Sequence, residues 1–296
     1  MGEGLIMELE EKITAIERML DQLSKPPEDI PNCEVVIERV CCEKHGEYEQ
    51  RKRILTSSII NLPSPPTRCP GCLEDELNFL KDEKVRWDKR VRQQTAERLL
   101  RQLDIPERFS TCTLDSYKPV GKDSERALRV CQAYASKWTD RLQQGGGLVM
   151  CGKPGTGKNH LALAIARHVI EHHQSSVIFT TALKIAREFK STWSKTATRT
   201  EDEVIRYFTK PDLLIVDEVG VQFGSEAEKM IMFEIINTRY ERLKPTILIS
   251  NLPKDELTQF IGERVIDRMN DGGGCTISFT WDSYRENRSR QEKTQF

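Results

Sequence analysis

Residues Gly152 to Asn159, with the sequence GKPGTGKN, have the types and spacing of a phosphate-binding loop. Glycines let the backbone curl so that successive N–H groups point at phosphate oxygens. The loop follows the apolar segment 148–151 and opens a helical pattern, whose N-terminal dipole favours anions. Lys158 would place its charge on the β- and γ-phosphates. We therefore predict that ATP is bound by these nine residues: Gly152, Lys153, Pro154, Gly155, Thr156, Gly157, Lys158, Asn159 and His160.

Acidic and amide side chains predict how Mg²⁺ and the attacking water would be held. Asn159 stands where such loops usually carry Ser or Thr, and its amide oxygen is a hard ligand suited to Mg²⁺. An apolar strand delivers Asp217 and Glu218 at its carboxyl end, where α/β sheets bind ligands. We expect Asp217 to hold Mg²⁺, mostly through water, and Glu218 to act as general base. The next strand ends in Asn251, which either contacts the γ-phosphate or attacking water, or simply forms a turn before Leu-Pro.

A second cluster has metal-ligand spacing, because a CxxH and a CxxC are separated by a loop of workable length. Zinc would also explain how a proline-rich segment with little apolar content stays folded. The predicted ligands are Cys42, His45, Cys69 and Cys72, with Cys41 as the alternative to Cys42 and Cys33 as a replacement if His45 is free. The other thiols are predicted core residues: Cys112, Cys131, Cys151 and Cys275.

Alternating strand and helix patterns from residue 105 onward must position the nucleotide site. Buried strands joined by crossover helices indicate an α/β fold with a parallel sheet. The predicted strands are 148–151, 177–181, 213–217, 246–250 and 275–280, and the predicted helices are 123–143, 158–173, 182–193, 225–243 and 255–269.

Two helices flank the cysteine-rich segment. Residues 3–24 carry a heptad seam that either packs on its own domain or pairs with a partner chain. Residues 81–104 have eight Lys or Arg residues against four acids before Asp104, which suits either a solvated linker or a contact with nucleic acid or a partner. The predicted divisions are an amphipathic helix at 1–27, a zinc-binding domain at 28–80, a basic linker helix at 81–104 and an ATPase domain at 105–296.

Bulk composition limits the remaining classes. The net charge of −1 gives no global argument for nucleic-acid binding. No apolar run reaches the length of a membrane span, and the acidic N-terminus lacks the features of a signal peptide. We expect a cytoplasmic protein without membrane contact, in which nine cysteines serve as metal ligands or buried thiols.

The residues between about 105 and 290 resemble the DnaC-type loaders of the replicative helicase. The matching segments are IPERFSTCTLDSY (105–117), GKPGTGKNHLALAI, LLIVDEVGVQ, GERVIDRM (262–269) and TWDSYRENR (280–288). Transposition helper ATPases of the IstB type share most of these features. The Lys-Asn-His and Trp-Asp-Ser-Tyr details favour the loader.

The resemblance implies an AAA+ fold that assembles as a homo-oligomer with ATP between neighbouring subunits. By position, Arg268 would reach the γ-phosphate held by the next subunit, with Arg264 as its helper. On a helix at 182–193, Lys190 and Trp193 would contact single-stranded DNA, supported by Lys184 and Arg187. We assign Phe189 to the core, and Trp193 either contacts DNA or is a core residue as well. The short tail after Arg268 indicates that a full helical lid domain is lacking.

The resemblance also implies the function. We expect an ATPase that uses residues 1–80 to grip the replicative helicase and helps place it on single-stranded DNA in replication initiation, with weak or DNA-stimulated hydrolysis. The alternatives are a transposition helper that remodels duplex DNA, and a zinc-based adaptor with a vestigial ATPase. Asn159 keeps the last alternative open.

Overall fold

A computed structural model describes residues 2–56, 61–220 and 226–284. The chain divides into two compact units, Met1–Val91 and Arg92–Phe296, and each is described by itself. None of the described helices has the length and apolar character needed to span a membrane.

The first unit contains helix α1 (Gly2–Ser24), strands β1 (Cys33–Cys42), β2 (Gly46–Thr56) and β3 (Asn61–Pro63), and most of helix α2 (Pro70–Leu103). The strands form an antiparallel sheet in the order β1-β2-β3. β1 and β2 pair along their whole length, from Cys33 opposite Leu55 to Cys42 opposite Gly46. This sheet was not predicted. It brings the cysteines at the end of β1 to a tight turn.

The heptad seam of α1 is covered by α2 within the same unit. Ile16, Leu73 and Leu80 are buried, and the other seam residues pack against them: Leu9, Ile13, Leu20 and Leu23, together with Leu77. Ion pairs from Lys81 to Glu17 (2.8 Å) and from Lys84 to Glu10 (2.6 Å) border the seam. Of the two interpretations of the seam, packing on its own domain is therefore the one observed.

Helix α2 begins at Pro70, whereas the sequence predicted a helix from residue 81. Proline is tolerated in the first turn, where its missing N–H would have no helical partner. The expected division between residues 80 and 81 lies inside this continuous helix.

The second unit is the predicted α/β fold. A 3-10 turn (Glu107–Phe109) precedes five parallel strands arranged in the order β5-β6-β7-β4-β8. The strands are β4 (Leu148–Gly152), β5 (Val177–Thr181), β6 (Leu213–Asp217), β7 (Thr246–Ile249) and β8 (Cys275–Phe279). The helices are α3 (Lys122–Ser136), α4 (Trp138–Gln144), α5 (Lys158–His173), α6 (Ala182–Ser191), α7 (Glu201–Thr209), α8 (Glu226–Glu241), α9 (Lys254–Ile261) and α10 (Glu263–Asn270).

Every predicted strand is confirmed, and the helices differ in detail. The predicted helix 123–143 is interrupted at Lys137, and the predicted helix 255–269 is interrupted at Gly262. Helix α7 was not predicted, although Thr200 and Glu203 form a capping box at its start.

Both faces of the sheet are covered by helices, and alternate residues of each strand enter opposite cores. In β4, Leu148 and Met150 enter one core, and Val149 and Cys151 enter the other. As predicted for the thiols of this unit, Cys112, Cys131 and Cys151 are buried, and the partly buried Cys275 packs against the first core. This double burial fixes the strand ends that carry the functional side chains.

A buried arginine connects two neighbouring strands of the sheet by hydrogen bonds. Arg239 on α8 is fully buried, and its guanidinium donates hydrogen bonds to the Thr246 hydroxyl and to five backbone carbonyls. Those carbonyls belong to Phe208, Thr209, Pro211, Asp212 and Pro245. The side chain thus holds the entrances of β6 and β7 beside each other.

A candidate nucleotide site and a candidate metal site

A cleft of about 890 Å³ lies at the carboxyl ends of β4, β6 and β7. It is the position where parallel sheets bind ligands. Predicted site residues from three separate segments line it: Pro154, Gly155, Gly157, Lys158, Asn159, His160, Asp217, Glu218 and Asn251. Residues that the sequence did not assign complete the wall, including Arg108, Phe109, Tyr117, Trp281 and Tyr284.

Lys158 lies at the floor of this cleft, at the start of α5. Its ammonium donates hydrogen bonds to the carbonyls of Gly152 (2.8 Å) and Lys153 (2.7 Å) and is almost fully buried. Burial lowers the pKa of Lys158 to about 8, partly opposed by the nearby charge of Asp217. A bound phosphate would raise this pKa again, because an anion favours the protonated form.

Asn159 is joined directly to Asp217. Its amide nitrogen donates to one carboxylate oxygen at 2.5 Å, and the backbone N–H of Glu218 donates to the other at 2.7 Å. Burial raises the pKa of Asp217 above its usual range, and both hydrogen bonds oppose that rise. The pairing uses the nitrogen of the amide, which leaves its oxygen as a ligand for a hard cation beside the carboxylate.

Glu218 follows the strand in an unusual backbone conformation. Its φ is 57°, in the left-handed region that disfavours a side chain. The turn is fixed to the next strand, because Val219 donates its N–H to the Ile249 carbonyl (3.0 Å) and accepts from the Ser250 hydroxyl (2.6 Å). This places the exposed carboxylate of Glu218 on the same cleft as Asn251.

His160 also lines the cleft, but its ring is bound to the loop before α3. Its Nε2 lies 3.1 Å from the Ser116 hydroxyl and 3.0 Å from the Thr113 carbonyl. The ring meets the Tyr117 ring edge-on, with centroids 5.5 Å apart. The Lys-Asn-His sequence therefore joins the phosphate loop to the segment that enters the ATPase domain.

The segment after β8 lies on the phosphate loop. Lys153 forms an ion pair with Asp282 (3.4 Å), and the N–H of Tyr284 donates to the Gly155 carbonyl (3.1 Å). The indole N–H of Trp281 donates to the Thr156 carbonyl (3.2 Å). The sequence analysis assigned no role to Trp281, Asp282 or Tyr284; the only signal was that TWDSY matched the family segment.

The predicted arginine pair lies outside the cleft of its own chain. Arg264 is exposed on α10. Arg268 is half-buried against α8, hydrogen-bonded to the Asn237 side chain and stacked over the rings of Phe233 (5.6 Å) and Tyr240 (5.3 Å). Contact with a nucleotide would therefore require a second subunit.

The predicted DNA contacts lie on and just after α6. Lys190 forms an ion pair with the nearly buried Glu228 (2.6 Å). The Trp193 side chain is 58% exposed, and its indole N–H donates to Glu201 (2.7 Å). Phe189 is buried, as predicted for a core residue. The exposed indole face thus remains available for stacking, whereas the charge of Lys190 is already paired.

The four predicted zinc ligands of the first unit come together. One ligand atom from each of Cys42, His45, Cys69 and Cys72 lies within 4.8 Å of the others. His45 Nδ1 is 3.4 to 3.8 Å from the three sulfur atoms, and the sulfurs of Cys42 and Cys72 are 3.5 Å apart. These separations fit the edges of a tetrahedron with metal–ligand bonds of about 2.0–2.3 Å.

The surroundings of the cluster suit a metal as well. His45 uses Nδ1 toward the sulfurs, and its Nε2 lies 3.2 Å from an Asp75 carboxylate oxygen, the outer contact that orients many metal-bound histidines. Hydrogen bonding, led by the Lys44 backbone, lowers the pKa of Cys42 to about 6 and favours a thiolate. Cys33 and Cys41 lie outside the cluster.

The fold and the cleft define a P-loop nucleotide-binding protein of the AAA+ type. Residues 74–292 match the model of the IstB-like ATP binding proteins. Since that match covers most of the chain, the protein belongs to this family and binds ATP through its second unit.

Individual relatives are also similar to this chain. The replicative helicase loader DnaC of Buchnera aphidicola subsp. Acyrthosiphon pisum (strain APS) is 35% identical over 190 residues, 64% of this chain and 76% of that protein. The loader DnaC of Escherichia coli (strain K12) is 32% identical over 216 residues, 69% of this chain and 86% of that protein. A crystal structure of the DnaC helicase loader superposes with a TM-score of 0.52 at 22% identity, covering 59% of this chain and 99% of that one, which shows a shared fold.

Proposed function

We propose that this protein is an ATP-dependent loader of the replicative DNA helicase that acts on single-stranded DNA in the initiation of replication. The observation that carries the proposal is the 32–35% identity to DnaC loaders, which spans 76–86% of their length. On this proposal the protein acts in the cytoplasm, where the chromosome is replicated.

The cleft supports ATP binding and slow or DNA-stimulated hydrolysis. Lys158 would exchange two backbone carbonyls for phosphate oxygens. Glu218 would accept a proton from the attacking water, and Asn251 would orient that water or the γ-phosphate. Because binding alone can shift the population of conformations, ATP would act here as a switch.

Mg²⁺ would be held by Asn159 and Asp217. The two side chains are already hydrogen-bonded to each other. Their carboxylate and amide oxygens are the class of ligand that Mg²⁺ prefers. When bound, the ion neutralises charge on the phosphates.

The loader would assemble as a homo-oligomer with ATP at the subunit junctions. Arg268 and Arg264 lie on one helix away from their own cleft, which suits a contact with the neighbour's γ-phosphate. Arginine suits that role because its planar fork spreads charge over several phosphate oxygens. Single-stranded DNA would stack on Trp193, with Lys190 near the backbone.

The first unit would bind Zn²⁺ through Cys42, His45, Cys69 and Cys72, and the ion would serve a structural role. We assign docking of the helicase to this unit, because the match to the family model covers residues 74–292 and leaves residues 1–73 for a partner-specific role.

The test is a pull-down of the full-length protein with a bacterial replicative helicase, in ATP, in ADP and without nucleotide, followed by gel filtration with light scattering. A loader should form a stable complex of defined mass and should bind single-stranded DNA more tightly than duplex. Arg268→Ala should keep ATP binding but lose ATP-dependent assembly, and the exposed Arg242→Ala serves as the matched control. Failure to bind any such helicase would contradict the proposal.

The family model itself favours a second candidate, a transposition helper, because it is the model of the IstB-like proteins. Such a helper should prefer duplex DNA, bend it and bind a transposase. A zinc-based adaptor with a vestigial ATPase is a third candidate. It predicts that turnover is absent, so any hydrolysis that is lost in Glu218→Gln while ATP binding persists would exclude it.

A further inference from the structure

One carbonyl of the phosphate loop accepts two side-chain hydrogen bonds from opposite ends of the ATPase domain. The Thr156 carbonyl accepts from the Tyr117 hydroxyl at 3.1 Å and from the Trp281 indole at 3.2 Å. Burial raises the pKa of Tyr117 to about 12, so its phenol keeps its proton and remains a donor. Trp281 is itself held by packing against the buried Phe279, with ring centroids 4.7 Å apart.

The direction of that carbonyl determines the direction of the next amide. In a planar trans peptide the C=O and the following N–H point in opposite directions. Holding the Thr156 carbonyl toward Tyr117 and Trp281 therefore turns the Gly157 N–H away from them. By the same reasoning, the hydrogen bond from the Tyr284 N–H to the Gly155 carbonyl turns the Thr156 N–H away from Tyr284. Within the described part of the chain, neither of these two amides has a hydrogen-bond acceptor.

Steric contacts show how closely the two segments are fitted to the loop. A Cβ atom on Gly157 would lie 2.6 Å from the Tyr117 ring. The φ of Gly157 is 93°, a backbone conformation that itself favours glycine. A Cβ on Gly155 would collide with the Ser283 hydroxyl. The loop thus has little room to rotate its peptides while both segments are in place.

We propose that Tyr117 and Trp281 are positioning residues for ATP, which together hold the Thr156–Gly157 peptide so that its N–H faces the β-phosphate. This inference rests on the ATP binding of the proposed function and adds the way in which two side chains orient the phosphate loop. Two donors on one acceptor hold the peptide redundantly. Removal of one donor leaves the peptide oriented, whereas removal of both lets it rotate and present its carbonyl to the anion.

The experiment measures the affinities of the full-length protein for ATP, ADP and AMP by calorimetry. Tyr117→Phe and Trp281→Phe each remove a single donor and keep an aromatic ring. We expect each to weaken ATP and ADP binding about threefold, and the double variant to weaken them about thirtyfold, more than the product of the single effects. AMP lacks the β-phosphate, so its affinity should change less than about twofold.

Two controls separate positioning from general destabilisation. Tyr207→Phe and Trp87→Phe make the same chemical changes at residues that do not line the cleft and should leave all three affinities unchanged. Thermal melting reports folding directly. If the double variant melts below the assay temperature, the single variants test the proposal instead. A positioning role predicts that they lose affinity for ADP but not for AMP, and an equal loss for both would contradict it.

The outcomes are distinct. Wild-type ATP affinity in the folded double variant, or an equal loss for AMP and ATP, would overturn the positioning role. A wild-type protein that binds no ATP would instead contradict the proposed function, whatever the variants do.

Discussion

The two units of this chain are stabilised by different physics. The ATPase unit buries a parallel sheet on both faces, with two large apolar cores built from alternate residues of the same strands. In the described part of the first unit, the buried apolar side chains are few: Ile16, Cys69, Leu73 and Leu80. Small cores rarely suffice alone, because a short segment buries too little of its surface. We propose that metal binding at the cysteine cluster would stabilise the first unit in the way that apolar burial stabilises the second.

Removal of one cluster ligand gives the largest expected effect. Structural zinc contributes on the order of 10 kcal/mol in zinc-finger peptides, far above what the small core of this unit supplies. We expect Cys69→Ser to lose the metal and unfold the first unit, while ATP affinity in the second is retained. Metal analysis, hydrogen exchange of residues 33–56 and nucleotide calorimetry measure the three quantities.

The exposed Cys41 next to the cluster provides the control, and Cys41→Ser should change none of them. Slow amide exchange that persists in β1 and β2 of the Cys69→Ser variant would show that the first unit stays folded without the metal.

Substitution of the proposed general base should lower the ATPase activity without changing the stability of either unit. Glu218→Gln removes the proposed general base, and we expect turnover to fall by about 10²- to 10⁴-fold. The exposed Glu218 side chain makes no core contact, so thermal melting and ATP affinity should stay close to those of the wild type. Steady-state hydrolysis with and without single-stranded DNA measures the effect, and unchanged turnover would remove Glu218 from the mechanism.

Arg239 is a fully buried cation of the ATPase unit, and its loss should destabilise that unit alone. Arg239→Met leaves the Thr246 hydroxyl and five buried carbonyls without their donor. We expect a loss of about 3–5 kcal/mol in the free energy of unfolding. Denaturant unfolding followed by hydrogen exchange should locate the loss in β6 and β7.

Arg242→Met, just beyond α8, changes an exposed arginine in the same way and should be neutral. Equal losses in the two variants would show that Arg239 does not hold the strand entrances.

The smallest expected effect is a pH dependence specific to the ATPase unit. Burial gives free Lys158 a pKa of about 8, and a bound phosphate raises it. Below pH 8 the ammonium is charged in both states, so the affinity is constant. Above pH 8 binding takes up a proton, and the affinity should fall by up to about tenfold per pH unit. Calorimetry in buffers of different ionisation heats measures the uptake, which should be absent in Lys158→Met.

The sequence predicted the ATPase unit well because its signals are local and strong. The five strands stand out as apolar runs, and the phosphate loop stands out as a glycine-rich turn between one such run and a helical pattern. The carboxyl ends of parallel strands share one edge, so the sequence predicts Asp217 and Asn251 near Lys158.

Other features depend on long-range packing and were missed. β1 and β2 carry charges among their apolar residues, and the cysteines there drew attention to metal binding rather than to strands. Arg239 sits in the sequence NTRYERLK, which has the composition of an exposed helix end. The contacts of Trp281 to Tyr284 with the phosphate loop bring residues together from distant parts of the chain, and no local pattern reports them.

The left-handed backbone of Glu218 has an evolutionary consequence. Any residue with a Cβ is disfavoured there by about 1–2 kcal/mol relative to glycine. A glutamate codon becomes a glycine codon by one transition, so a protein without the proposed general base, which we expect to be more stable, is a single nucleotide away. Lineages that no longer need hydrolysis should drift to glycine at this position while keeping the fold and the phosphate loop. A Glu218→Gly protein that melts above the wild type and still binds ATP would reproduce that drift in the laboratory.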